Sequence, residues 1–119
     1  MIDVQSNVIL KTEDLSGTLA WYQRAGFEVR GTYPEDAPTW AEVTRDDLAV
    51  QFLTGETPWP GSPALTGCLY VHPADVRAVH DEIKDAIDCP WGVEEREWGA
   101  RELTVQDPNG YFVTFSERR

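Results

Sequence analysis

Arg101-Glu102-Leu103-Thr104-Val105-Gln106-Asp107-Pro108-Asn109-Gly110-Tyr111-Phe112-Val113-Thr114-Phe115 is the stretch on which the fold turns. Two alternating runs, 101–105 and 111–115, flank Asp107-Pro108-Asn109-Gly110, whose Pro, Asn and Gly supply the backbone angles of a tight turn. The spacing predicts a hairpin with Leu103, Val105, Val113 and Phe115 on one face. Glu102, Thr104, Phe112 and Thr114 fall on the other. Working upstream, Val93-Glu94-Glu95-Arg96 reads as a short strand. Before it, Pro73-Ala74-Asp75 opens a helix with the stripe Val76, Val79, Ile83, Ala86 and Ile87, and Cys89-Pro90 stops it. Cys68-Leu69-Tyr70-Val71-His72 is the strand that precedes this helix.

The same order occurs once more, nearer the N-terminus. A strand over 6–11 leads to Glu13-Asp14-Leu15-Ser16, where Asp14 or Ser16 can cap a helix striped by Leu15, Leu19 and Tyr22 with Trp21 beside it. Gly26 ends the helix and Phe27-Glu28-Val29-Arg30 reads as a strand. Residues 32–38 read as loop, marked by Pro34 and Pro38. Strands over 40–44 and 48–53 then enclose the turn Arg45-Asp46-Asp47. The sequence predicts an α+β fold: one domain, 1–119, of two βαβββ modules at about 1–55 and 66–119, with a Pro/Gly-rich linker at 56–65. The strands are expected to form an open, incomplete, barrel-like mixed sheet with the helices outside.

Charge limits the function classes. Ten Lys and Arg against 21 Asp and Glu give a net charge of −11, which opposes binding to a phosphate backbone and favours the approach of cations. The chain is expected to bind no nucleic acid. No run nears the roughly eighteen apolar residues of a membrane span, and Met1-Ile2-Asp3-Val4 lacks a basic leader segment. With two cysteines, Cys68 and Cys89, the expected location is the cytoplasm.

Each sheet buries one face under its helix, and the leftover face is mixed: Asn7, Ile9, Glu42, Thr44, Gln51, Tyr70, His72, Glu102, Thr104, Phe112 and Thr114. Such a face makes poor core and suits the lining of a concave site. Trp21 and Tyr22 fit the core. Trp40, Trp59, Tyr70, Trp91 and Trp98 are harder to bury, and Trp59 and Trp91 can also be read as lids on the core ends. His72 reads as a rim histidine or a ligand, His80 as a half-buried helix residue, and Glu94-Glu95-Arg96-Glu97 as a solvated edge.

Asp14-Leu15 through Trp21-Tyr22 to Gly26-Phe27, with Trp98-Gly99-Ala100-Arg101-Glu102 ahead of Asp107-Pro108-Asn109-Gly110-Tyr111, resembles the glyoxalase, bleomycin-resistance and extradiol dioxygenase (vicinal oxygen chelate) superfamily. The Trp-Gly-Ala-Arg-Glu run before Asp-Pro-Asn-Gly, and the middle hairpin from Trp40 to Phe52, are most similar to bleomycin-resistance binding proteins, which are small acidic dimers. The superfamily's metal positions, carried over, fall at Asn7, Gln51, Thr66 (or Cys68) and Thr114, and only Gln51 is a ligand type of that set. The resemblance therefore implies no cofactor, no catalytic residue and no reaction. It implies a homodimer that sequesters a cationic, aromatic, bleomycin-like ligand in grooves between subunits. The residues expected to line them are Trp40, Glu42, Gln51, Trp59, Tyr70, His72, Trp98, Glu102 and Phe112. The alternatives are a metal-dependent glyoxalase- or dioxygenase-type enzyme, and a dimeric binder of another aromatic cationic metabolite.

Overall fold

The computed structural model describes residues 8–55 and 61–118. The first module runs β1 (Val8–Lys11), α1 (Leu15–Arg24), β2 (Glu28–Tyr33), β3 (Trp40–Arg45) and β4 (Leu48–Leu53). The second runs β5 (Cys68–Val71), α2 (Val76–Ile83), β6 (Val93–Arg96), β7 (Ala100–Gln106) and β8 (Phe112–Arg118). Each module forms a four-stranded mixed sheet, ordered β1-β4-β3-β2 and β5-β8-β7-β6, and no barrel closes. The first and last strands of each module pair in parallel, Val8 opposite Val50 and Leu69 opposite Val113, and the other pairs are antiparallel.

Local chemistry explains the helices. Asp14 is extended and its Oδ1 accepts from the Gly17 amide at 2.9 Å, capping α1. Gly26, at φ +85°, takes the left-handed conformation that follows a helix end. Asp75 caps α2 by accepting from the Ala78 amide, and Glu117 adds a carboxylate oxygen 2.8 Å from the Val76 amide.

The helix-facing side chains of both sheets join one core. Val43, Val50, Phe52, Val71, Leu103, Val105, Val113 and Phe115 are fully buried with Tyr22 and Ile83. The modules grip each other reciprocally. The turn of the second reaches the helix of the first: Tyr22 donates to Asp107 Oδ2 at 2.7 Å, and Asn109 Nδ2 donates to Thr18 at 3.1 Å. The turn of the first reaches the helix of the second: Arg45 donates to Glu82 at 2.7 Å and lies 5.4 Å above the Phe115 ring. Strand ends follow the same rule, with Asn109 bonded to Thr12 and Asp47 bonded to His72.

Three sequence expectations change. Residues 32–38 are not all loop, because β2 continues to Tyr33 opposite Trp40 and the Thr39 amide donates to the Tyr33 carbonyl. The second helix ends at Ile83 rather than Cys89, with Asp85 and Asp88 at the end where the helix dipole disfavours acids; Ala86 is exposed and Ile87 buried. His72 lies one residue beyond β5, held by Asp47 rather than in the sheet. Asn7, the start of the first strand and Trp59 lie outside the described residues.

Candidate functional site

Because the helix-side faces share the core, no helix among the described residues covers the opposite face of either sheet. On the second sheet, register places Glu94 opposite Glu102, Thr104 opposite Thr114 and Phe112 opposite Gln106. Trp91, from the turn before β6, stands edge-on to Phe112 with centroids 6.0 Å apart. Trp91, Glu94, Arg96, Thr104 and Phe112 line a cavity of about 350 Å³, within the range of small-molecule sites (roughly 300–1,000 Å³).

Arg96 organises this cavity. Its Nε donates to Glu102 Oε1 and its Nη2 to Glu94 Oε1, each at 3.2 Å, and its guanidinium lies 5.7 Å from the centroid of the Trp98 ring. Glu102 is only 3% exposed, and its second oxygen accepts from Ser116 Oγ at 3.0 Å. Both oxygens of that carboxylate are thus engaged inside the protein, by Arg96 and Ser116. Beside it runs a hydroxyl ladder: Thr104 to Thr114 at 2.9 Å, and Thr114 to the Cys68 thiol at 3.0 Å. Burial, with the Glu102 charge nearby, holds the Cys68 thiol above its usual range against the lowering hydrogen bonds from Thr114. The thiol is therefore a poor nucleophile at neutral pH.

On the first sheet the Trp40 indole donates to Gln51 Oε1 at 3.1 Å, and Gln51 Nε2 donates to Glu42 Oε2 at 3.3 Å. The Trp40 ring lies over Gly31, where a Cβ would meet it at 3.4 Å. Trp40, Gln51 and Glu42 form one oriented row. Ile9 lies beside it opposite Gln51, and Tyr33 opposite Trp40.

The sequence-predicted residues therefore divide between two surfaces. Trp40, Glu42 and Gln51 come together on the first sheet; Tyr70, Glu102 and Phe112 lie on the second, with Trp98 beside it. His72, bonded to Asp47, lies past the end of β5 with its ring centroid 6.3 Å from that of Tyr70. The run 94–97 is not simply a solvated edge, since Glu94 and Arg96 line the cavity. The clue to Arg96 was its spacing: residues 94 and 96 share the face of Glu102 once the β6–β7 register is fixed.

The superfamily's metal positions that lie among the described residues do not suit a divalent ion. Gln51 has both amide atoms engaged by Trp40 and Glu42; Thr114 is 2% exposed and bonded to Cys68 and Thr104. Thr66 lies in an exposed loop ahead of β5, and the neutral hydroxyls are weak donors beside the His and carboxylate sets of catalytic sites. Among the described residues no three His, Cys, Asp or Glu cluster as metal ligands.

Paired βαβββ units with an uncovered, aromatic-lined sheet face define a glyoxalase-fold protein. The chain belongs to the Glyoxalase/Bleomycin resistance protein/Dioxygenase superfamily, whose pattern matches residues 5–115. No curated protein matches it in sequence. It is similar in structure to a bleomycin resistance determinant encoded on the transposon Tn5 (22% identity, TM-score 0.72, covering 98% of this chain and 99% of that one). It is similar also to a bleomycin-binding protein complexed with bleomycin (23% identity, TM-score 0.68, 98% and 100%). A glyoxalase-related enzyme from Clostridium phytofermentans shares the fold as well (17% identity, TM-score 0.73, 100% and 98%).

Proposed function

We propose that this chain is a cytoplasmic homodimer that sequesters a bleomycin-type glycopeptide, or a ligand of that cationic and aromatic character, without altering it chemically. The observation that carries the reading is the set of aromatic groups in water on and beside the two open faces: Tyr33 is 71% exposed, Trp98 62%, Trp91 52% and Tyr70 46%. Exposed aromatic surface of this kind is uncommon on a monomer that binds nothing. A second copy laid against these faces would turn each into a groove, with a ligand completing the cover. Flat heteroaromatic rings would stack on the indoles, and the charge of −11 would raise the encounter rate of a cationic drug.

Bleomycin titration followed by tryptophan fluorescence tests this. Saturable quenching near one drug per chain, weakened as salt screens the approach, is expected. A flat titration at micromolar drug removes the antibiotic as ligand. Trp98→Ala should weaken binding by about tenfold while leaving the fold intact, as loss of one stacked ring costs on the order of 1 kcal/mol or more. Stoichiometric metal in protein purified without chelator, with turnover of a small compound, would favour the enzyme reading instead.

A further inference from the structure

The cavity on the second sheet already contains a cation. Arg96 lies between two carboxylates and against the Trp98 ring, the arrangement a bound ammonium or guanidinium would otherwise adopt. It is not a side chain that a ligand can readily push aside. Glu102 is almost wholly buried, and removing Arg96, its one cationic partner among the described residues, would strand a charge inside the protein. An incoming cation would thus meet a guanidinium where it needs an anion. A carboxylate ligand fares no better, because Glu94 and Glu102 outnumber Arg96 by two charges to one.

What the cavity offers a ligand is an aromatic surface with hydrogen-bond donors beside it. Trp91 and Phe112 form an aromatic corner. Nη1 of Arg96 has no hydrogen-bond partner among the described residues, and the Thr104 hydroxyl lines the same cavity. We propose that Arg96 sets the specificity of this cavity, so that it takes an uncharged planar aromatic group bearing a carbonyl-type acceptor, bound by Arg96 Nη1 and Thr104 between Trp91 and Phe112. The assignment deepens the binding function and rests on it only in taking the open sheet face as the ligand side. Any cationic part of the ligand is held outside this cavity.

Two probes of similar shape test it: 2-naphthamide, neutral with a carbonyl, and 2-naphthylmethylammonium, a cation. Binding is read at about 0.15 M salt, where long-range charge is screened within roughly 8 Å, from the shifts of the tryptophan indole N–H resonances. The wild-type chain should bind the amide about tenfold more tightly than the ammonium, the scale of one charge-assisted hydrogen bond. Arg96→Met keeps the apolar stem and removes the charge; it should reverse the order, because Glu94 and Glu102 then face the cavity uncompensated. If that variant does not fold, Arg96→Met with Glu94→Gln and Glu102→Gln removes the guanidinium and both carboxylates and should abolish the preference. The proposal is overturned if the wild type prefers the ammonium, discriminates by less than twofold, or binds neither probe up to about 1 mM, a free energy near −4 kcal/mol. It is equally overturned if the folded Arg96 variant keeps the amide preference. A flat bleomycin titration with this preference intact would reject the antibiotic and keep the cavity assignment; the opposite pattern would keep sequestration and reject the assignment.

Discussion

Among single residues, Tyr22 carries the largest structural burden. It is fully buried, packs edge-on against Phe27 and Trp21, and gives its hydroxyl to Asp107. Tyr22→Phe should cost about 1–3 kcal/mol, because the buried carboxylate loses a donor, and urea unfolding would measure it. Glu82 gives a pH dependence of known sign. The hydrogen bond from Arg45 holds its carboxyl below the ordinary 4.5. At Asp47, burial raises the carboxyl, but hydrogen bonds from the His72 amide and ring outweigh it and leave it below 3.8. Both folded values lie below the unfolded ones, so their stabilisation is fully present above pH about 4–5 and fades as pH falls through the folded values. Glu82→Gln should flatten the stability profile on the acid side, by well under 1 kcal/mol since the group is half exposed. The residue-level features that the sequence displayed were those set by period: Trp21 and Tyr22 in the core, and Glu42, Gln51 and Phe112 on an open face. Arg96 was hidden because its place depends on a buried carboxylate six residues away, and hydrophilic runs read as solvent-facing.

At the level of elements, Gly26 joins a helix end to a module contact. A Cβ there would collide with Arg45 Nη1 and Glu82 Oε2, and the φ of +85° is itself adverse to any other residue. Gly26→Ala should destabilise the fold by about 1–3 kcal/mol, as strain at left-handed positions does, and a shift in the urea midpoint would register it. Lengthening the side chain removes the Arg45–Glu82 bridge as well, so combining it with Glu82→Gln should be less than additive. The hairpins and the helix starts were legible because Asp-Pro-Asn-Gly, Asp14 or Ser16, and Pro73-Ala74-Asp75 act through neighbours in sequence, and the structure selects Asp14 and Asp75 as the caps. The true ends of β2 and α2 were not. Tyr33 is strand because Trp40 lies opposite it, and α2 stops where acids crowd its C-terminal end, before any proline is reached.

For the whole molecule, the proposed function places a second chain against the two open faces. Sedimentation should give a species of twice 13.4 kDa at micromolar concentration, and a particle that stays at the single-chain mass would contradict the groove model. Both cysteines are free, so association should not change under reducing agent. The description of two like halves could be read from order and spacing alone. Their mode of union could not, because it rests on pairs such as Tyr22 with Asp107, separated by 85 positions.

The crossed latches between turns and helices have a genetic corollary. A polypeptide comprising just one of the units would expose the flank of its helix and leave a tip such as Arg45 or Asp107 with nothing to hold. Severed at residues 56–60 and co-expressed, the fragments should find one another again.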